Sequence, residues 1–210
     1  MSTLAEYGQA VEEKKVVGLI RSLMKQKHGT PFEDGYFRFR IAAPRGVRDE
    51  HVRHRIGWSF SSASSRYREI PQHYYIPPPH RPLKKVDNFK SMRPTYEPYE
   101  DGRYQEYADE AKEVYLWLAE GIEKMKDLGF MATEEIRWFN PDGQIVPYIA
   151  RCNPRSLMHF LALRTHDENA NHVSYPMWEI EQVARYMEAE FARCLPITHA
   201  AFNEYGREAP

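Results

Sequence analysis

The spacing of apolar residues predicts a helix-rich chain with a small amount of β-strand. Apolar positions recur at intervals of three and four, which predicts helices over residues 10–27, about 103–128 and about 178–193. Between residues 36 and 41, aromatic and aliphatic side chains alternate with Arg38 and Arg40, a pattern typical of a half-buried strand. Residues 71–98 are rich in proline and aromatic residues, which indicates an extended crossover segment.

Two shorter helices are marked by their end residues. Thr133, followed by two glutamates, predicts the N-cap of a short helix that Pro141 ends. Asn153 and Pro154 predict the N-cap and first residue of a helix that runs to about Arg164. Because this helix is apolar nearly all round, we expect it to be buried and a charge at its end to need a partner. These elements predict one α+β, helix-rich domain over residues 1–210, with a small mixed or antiparallel sheet.

The composition excludes several classes of protein. With 210 residues, of which 42% are hydrophobic and 13% aromatic, the chain can form the core of a single domain. It has no apolar run of about 18 residues and no N-terminal signal pattern, so we expect no membrane partner. The net charge of -1 argues against nucleic acid as a partner. Two cysteines cannot form a disulfide framework, which indicates a reducing, cytoplasmic setting.

Positive charge is nevertheless concentrated in one stretch. Residues 38–68 contain eight arginines, no lysine and only two acidic residues. The planar guanidinium suits phosphate and carboxylate groups, and the five serines that follow residue 55 add hydroxyl donors for phosphate oxygens. The stretch therefore predicts a local anion site, with a solvated surface patch as the alternative. The chain has no Gly-rich dinucleotide loop and no Walker loop, which excludes a Rossmann or P-loop site.

Three other features predict ordinary roles. His51 and His54 are spaced like metal ligands, but the sequence supplies no third ligand, so we expect no metal. Cys152 is expected to be a small buried core residue. Ser64 lacks a Ser-His-Asp pattern and is not expected to act as a nucleophile.

Motifs along most of the chain resemble those of the flavin-dependent thymidylate synthases. Arg53-His54-Arg55, followed after eight residues by Ser64-Ser65-Arg66-Tyr67, resembles the family signature, in which seven residues intervene. Further segments match the family in order and spacing: His28-Gly29-Thr30-Pro31-Phe32-Glu33, Tyr75-Ile76-Pro77, Arg137 with Pro141, Asn153-Pro154-Arg155-Ser156-Leu157, and His159-Phe160-Leu161-Ala162-Leu163-Arg164. On these motifs the chain is identified as a divergent member of the family.

The resemblance implies a homotetramer with shared active sites, in which FAD lies between subunits. The residues implied to contact FAD are His28, Thr30, Arg53, His54, Arg55, Ile56, Asn153, Arg155 and His159. The residues implied to contact the nucleotide are Glu50, Ser62, Ser64, Ser65, Arg66, Arg137, Leu163 and Arg164. Arg164 also has the implied catalytic role of favouring ionisation of the uracil ring at N3. Without the resemblance, a buried ion pair of Arg164 with Asp167 or Glu168 would be the preferred interpretation.

The implied reaction is the reductive methylation of a uridylate, dUMP or UMP, at C5. In the family's scheme methylenetetrahydrofolate supplies the carbon, NADPH reduces FAD, and reduced FAD supplies the hydride. The protein positions and polarises the reactants while the cofactor carries the redox chemistry.

The sequence departs from the family pattern beside the nucleotide and after Arg164. Ser61-Ser62 replaces an Asn-Glu pair and Glu50 replaces a glutamine, which leaves room for a ribose 2'-hydroxyl. Residues 165–177 exceed the usual spacing, so the family's histidine in that segment cannot be assigned. One alternative is therefore a UMP methylase of a peptidyl-nucleoside antibiotic pathway, such as the polyoxin pathway. The other is a non-catalytic homologue that binds nucleotide or RNA.

Overall fold

The structure is a computed structural model that describes residues 13–64, 66–67, 70–81, 83–86, 94–97 and 103–210. The chain forms two compact units. The first unit comprises the chain up to Phe37 together with residues 153–176 and 181–210, and the second comprises residues 38–152 and 177–180. The prediction that residues 1–210 form one domain stays a prediction.

The described residues form helices and a small amount of strand, which confirms the predicted α+β class. In chain order the elements are α1 (Glu13–Lys25), β1 (Phe37–Pro44), α2 (Arg45–His51), β2 (Trp58–Ser62), β3 (Leu83–Val86), β4 (Pro94–Glu97), α3 (Arg103–Asp127), α4 (Thr133–Ile136), β5 (Ile145–Cys152), α5 (Pro154–Arg164), α6 (Trp178–Cys194) and α7 (Pro196–Glu204). Short 3-10 turns occupy Thr30–Phe32 and Arg137–Phe139.

The core of the first unit surrounds α5. The Asn153 side chain accepts a hydrogen bond from the Ser156 N–H at 2.8 Å, and Pro154 supplies the first helical residue, so the predicted start and end of this helix are confirmed. Side chains from α5, α6 and α7 have no exposed surface at Leu157, Met158, Phe160, Leu161, Ala184, Phe191 and Phe202. Removing this apolar surface from water is the main source of the unit's stability.

The second unit contains a three-stranded sheet in the order β1-β5-β2. β2 pairs antiparallel with the central strand β5, with Trp58 opposite Cys152 and Ser62 opposite Tyr148. Alternate residues of β5 are buried from Val146 to Cys152, as expected of a strand with one face in the core. The predicted strand over residues 36–41 is confirmed as β1.

Two predicted details are corrected. Thr133 is not the N-cap of α4, because the helix begins there and Ala132 is the cap residue. The Ala132 N–H donates to Glu135 Oε2 at 2.8 Å, so a carboxylate of the first turn satisfies this end instead of the Thr133 hydroxyl. The segment over residues 71–98 is not only a crossover, since it contains the antiparallel pair β3 and β4. Residues 10–12 of the first predicted helix lie outside the described residues.

A membrane-spanning helix is not found in the described part of the chain, where no helix combines the required length and apolar character.

Candidate active site

The Arg53-His54-Arg55 motif lies in the loop that follows α2 in the second unit. Arg53 and Arg55 are exposed, whereas His54 is buried and its N–H donates to the His51 carbonyl at 3.0 Å. Ile56 is 89% exposed. An aliphatic side chain held in solvent beside two guanidinium groups offers both apolar contact and positive charge to a ligand. This donor set fits a flavin dinucleotide, which combines aromatic rings with a pyrophosphate.

A buried histidine anchors the start of this loop. His51 has no exposed surface, and its Nδ1 lies 3.1 Å from Tyr148 Oη of β5. Its ring also makes edge contacts with Trp58 and Phe60 of β2, at centroid distances of 4.7 Å and 5.0 Å. Burial raises the pKa of Tyr148 above its usual value, so this hydroxyl stays protonated. The end of α2 is thus fixed against both β2 and β5.

Cys152 and the His51–His54 pair both lie in this region. Cys152 is buried, which confirms the predicted core role, and burial raises the pKa of its thiol above the usual value. His51 and His54 approach each other at a centroid distance of 6.5 Å. Across the described ranges, no three histidine, cysteine or acidic side chains form a group that could hold a metal ion.

Arg66, one of the predicted nucleotide-binding arginines, pairs with a glutamate that precedes Arg137 in the chain. Ser64 accepts a hydrogen bond from the Arg66 N–H at 3.3 Å and so shapes the turn that presents Arg66. Arg66 Nε donates to Glu134 Oε2 at 2.8 Å, and Glu134 lies one helical turn before Arg137. The Arg137 guanidinium in turn lies 5.1 Å from the centre of the Trp138 ring. Glu134 was missed from the sequence, although its spacing of three from Arg137 was a usable signal.

Two further arginines of the arginine-rich stretch make contacts within the fold. Arg45 donates to the buried Gln144 side chain at 2.9 Å, and Arg48 pairs with its neighbour Asp49. Because Arg45 and Arg48 already have partners in the fold, fewer arginines of the stretch remain for the predicted anion site.

Three other predicted nucleotide contacts lie in or near this stretch. Glu50 is half-buried on α2, and Ser62 is exposed at the end of β2. Ser65, also predicted to bind the nucleotide, lies outside the described residues.

In the first unit, the His28–Thr30 turn lies against Arg155 of α5. Gly29 is buried, and a Cβ there would overlap the Arg155 guanidinium, so glycine permits the close approach. Arg155 Nη1 donates to Glu33 Oε1 at 2.5 Å, and its Nε donates to the Pro210 carbonyl at 2.6 Å. His28 and Thr30 remain exposed on either side. Glu33 was part of the recognised motif, but its pairing with Arg155 was not foreseen.

One face of α5 carries several of the predicted contact residues. His159 and Leu163 are exposed on this face, one turn apart, while Arg155 precedes His159 by another turn. His159 and Leu163 border a cavity of 440 Å³. The other lining residues are Ala162, His172, Val173, Ser174, Arg207, Glu208 and Ala209. Arg164 ends the helix in a half-buried position.

Asp167 and Glu168, the acidic residues considered as ion-pair partners of Arg164, each contact another side chain as well. Asp167 Oδ2 lies 3.6 Å from Arg207 Nε, and Glu168 Oε1 lies 2.9 Å from His166 Nε2. The predicted site residues are divided between the two units. The first unit holds His28, Thr30, Asn153, Arg155, His159, Leu163 and Arg164, and the second holds Glu50, Arg53, His54, Arg55, Ile56, Ser62, Ser64, Arg66 and Arg137.

Comparison with known proteins agrees with these motifs. The family model described as thymidylate synthase complementing protein matches residues 2–197. The flavin-dependent thymidylate synthase of Streptomyces avermitilis is 42% identical over 196 residues, which cover 92% of this chain and 77% of that protein. The enzyme of the same name from Tropheryma whipplei is 34% identical over 215 residues, covering 100% of this chain and 87% of that protein.

Solved structures are similar over nearly the whole chain. A crystal structure of the UMP/dUMP methylase PolB from Streptomyces cacaoi bound with 5-Br UMP has a TM-score of 0.88 and 36% identity, covering 96% of this chain and 87% of that chain. The structure of PolB bound with 5-Br dUMP has the same TM-score and 35% identity, covering 97% and 86%.

The fold and the motifs define a flavin-dependent enzyme of the methyltransferase class. The chain belongs to the flavin-dependent thymidylate synthase family.

Proposed function

We propose that this protein methylates C5 of a uridylate reductively and accepts both dUMP and UMP. The C5 hydrogen would leave as a proton, methylenetetrahydrofolate would transfer its methylene carbon and leave as tetrahydrofolate, and a hydride would complete the methyl group. The bound FAD, reduced by NADPH, supplies that hydride. One observation carries the proposal: the apolar side of α5 is buried, which fixes the positions of the other residues along this helix. These include the predicted contact residues Arg155, His159, Leu163 and Arg164.

The proposed flavin contacts combine charge with apolar surface. Arg53 and Arg55 would pair with the pyrophosphate, for which exposed guanidinium groups are well suited. Ile56 would contact a ring of the cofactor. Asn153 and Arg155 begin α5, and the His28–Thr30 turn packs against Arg155. His54 and His159 complete the proposed set of flavin contacts.

The proposed nucleotide contacts separate into phosphate-binding and base-binding residues. Arg66, which pairs with Glu134, and Arg137 would bind the dianionic 5'-phosphate, with Ser64 and Ser65 as hydroxyl donors. Leu163 would contact the uracil ring. Arg164, the last residue of α5, would stabilise negative charge that develops on that ring, because a preorganised cation needs no reorganisation during the reaction.

Acceptance of the ribonucleotide is supported by residues beside the proposed sugar position and by PolB. Ser62 is small and exposed where the family has a glutamate, and Glu50 stands where it has a glutamine. A pocket that merely has room for one hydroxyl discriminates by only about 10–200-fold. PolB, whose structures contain 5-Br UMP and 5-Br dUMP, is described as a UMP/dUMP methylase.

We further propose a homotetramer whose subunits share active sites, working in a reducing cytoplasm. Large apolar side chains are exposed in the second unit, among them Ile56, Trp117, Phe130 and Trp138. Exposed apolar groups of this size are typical of surfaces that contact another chain.

The spectrum of the purified protein tests the flavin part of this proposal. Protein reconstituted with FAD should be yellow after gel filtration and should bleach anaerobically on addition of NADPH. A colourless protein that cannot be reconstituted would favour the second candidate, a non-catalytic nucleotide-binding homologue. Arg53→Met with Arg55→Met should lose the colour, whereas Arg38→Met, on an exposed position of β1, should keep it.

A further inference from the structure

The segment between α5 and α6 is longer than in the family pattern, yet it is hydrogen-bonded along its length. The Ser174 hydroxyl donates to the Leu163 carbonyl at 2.6 Å, in the last turn of α5. The His166 N–H donates to Glu181 Oε1 at 2.9 Å, and the His166 ring contacts the Ser174 carbonyl at 2.8 Å. Residues 165–174 therefore fold back onto the end of α5 that carries two proposed nucleotide contacts.

Arg207 lies beneath this segment and is 5% exposed. Its Nη2 donates to Thr165 Oγ1 at 2.9 Å, and its Nη1 lies 2.7 Å from Glu188 Oε1 and 2.6 Å from Asn203 Oδ1. Its backbone has a φ of 57°, in the left-handed region where only glycine is free of strain. Burying a guanidinium group is costly unless several acceptors surround it, and here acceptors from three elements do so.

The connection continues from Arg207 into α5. Thr165 Oγ1, which accepts from Arg207, donates to the Leu161 carbonyl at 2.7 Å. Thr165 directly follows Arg164. Its hydroxyl therefore connects both ends of the turn over residues 161–165 and joins that turn to Arg207. A buried polar group left without a partner costs more free energy than a formed hydrogen bond contributes. The network is therefore sensitive to substitution, since removing one partner leaves other buried groups unsatisfied.

Arg207 also borders the 440 Å³ cavity that the exposed residues of α5 line. His159 and Leu163 of α5 line this cavity together with Val173, Ser174 and Arg207. The Arg207 network thus contacts the last turn of α5, and the Ser174 hydroxyl bonds the following segment to that same turn.

We propose that Arg207 is a positioning residue for the uridylate site, which fixes the last turn of α5 and so the places of Leu163 and Arg164. This inference rests on the proposed function. It assigns a role to a residue that lies outside every recognised motif and acts through Thr165. A positioning error of about 1 Å can cost about 100-fold in rate, so a network around a buried cation is a suitable device for holding a substrate contact.

The test compares Arg207→Met and Arg207→Lys with Arg193→Met in the FAD-loaded protein. Arg193 is an exposed arginine that pairs with Glu190 of its own helix. Arg207→Met should raise KM for dUMP by about tenfold or more, while the flavin spectrum and flavin reduction by NADPH without nucleotide change less than about twofold. Arg207→Lys keeps the charge without the planar fork and should recover part of the affinity. Arg193→Met should behave as wild type.

Thr165→Val provides a second variant in case Arg207→Met fails to fold, because it removes only the hydroxyl that joins Arg207 to α5. It should raise KM for dUMP in the same direction and speed amide hydrogen exchange over residues 161–174. A folded Thr165→Val or Arg207→Lys protein with unchanged KM and unchanged exchange would overturn the proposal, as would equal loss of flavin and nucleotide binding. If the wild type turns over no uridylate, the proposed function fails, and exchange over residues 161–174 still decides the positioning role.

Discussion

At the scale of single residues, Arg164 carries the chemical part of the account. It ends α5 in a half-buried position, where the negative end of the helix dipole favours a cation. Arg164→Ala should lower kcat/KM for dUMP by about 100-fold to 1,000-fold, because it removes charge stabilisation at the ring. Arg164→Lys should recover only part of this loss. Turnover of dUMP measures catalysis, and the flavin spectrum measures cofactor binding separately. Near-normal turnover of Arg164→Ala would show that the role assigned to Arg164 is wrong.

We expect Ser62 to decide the choice between the two sugars. The wild type should methylate both UMP and dUMP. Ser62→Glu restores the acid of the family pattern and should lower kcat/KM for UMP relative to dUMP by about tenfold, since it fills the space proposed for the 2'-hydroxyl. Ser59→Glu adds the same charge on the other face of β2 and serves as the matched control. Unchanged sugar preference in Ser62→Glu would place the determinant elsewhere.

At the scale of elements, the segment between α5 and α6 should be sensitive to pH through His166. The hydrogen bond to the Ser174 carbonyl, with a contribution from Glu168, raises the pKa of His166 above its usual value of about 6.5, against the opposite effect of partial burial. A group whose pKa is raised in the folded state stabilises that state at pH values below its ordinary pKa. This stabilisation disappears as the pH rises through the raised pKa. Amide exchange over residues 165–174, corrected for intrinsic rates, should therefore be faster at pH 9 than at pH 6.

His166→Asn is the control for this effect, because an amide can still donate to the Ser174 carbonyl but does not titrate. The variant should show no such difference between the two pH values. Equal protection of the wild-type segment at both pH values would contradict the expected link between His166 and this segment.

The elements that sequence patterns predicted well are those that local chemistry decides. α5 was predicted from Asn153 to Arg164 because a cap, a proline and an apolar surface all agree. The beginning of α4 was wrong by one residue, since the backbone found its acceptor on Glu135 and not on Thr133. β5 escaped prediction, because Pro147 interrupts its pattern and its strand character depends on pairing with β2.

In the candidate site, too, residues placed by local sequence could be predicted, and residues placed by tertiary contacts could not. Arg155, His159 and Leu163 follow from a helical motif, so their common face could be predicted from spacing alone. Arg207 could not be found in this way, because its partners Thr165 and Glu188 are 42 and 19 residues away in the chain. Contacts of such separation depend on tertiary packing, which leaves no periodic trace in the sequence.

At the scale of the whole molecule, we expect four copies of the chain to assemble. Light scattering of the flavin-loaded protein should give a mass four times the 24.8 kDa of one chain. The exposed side chain of Trp117 on α3 provides a probe, since Trp117→Glu should shift the mass toward smaller species by placing a charge on an apolar surface. A wild-type monomer that still binds FAD tightly would contradict the shared active site.

On the proposed function, this chain joins a folate-derived carbon and a flavin-derived hydride at C5 of a uridylate. The most direct measurement incubates the FAD-loaded protein with methylenetetrahydrofolate, NADPH and either dUMP or UMP, and determines the mass of the nucleotide product. We expect a product heavier by one CH₂ group from both nucleotides, and no such product when methylenetetrahydrofolate or NADPH is omitted. Failure to methylate either nucleotide, by a protein that holds FAD and reduces it with NADPH, would contradict the account.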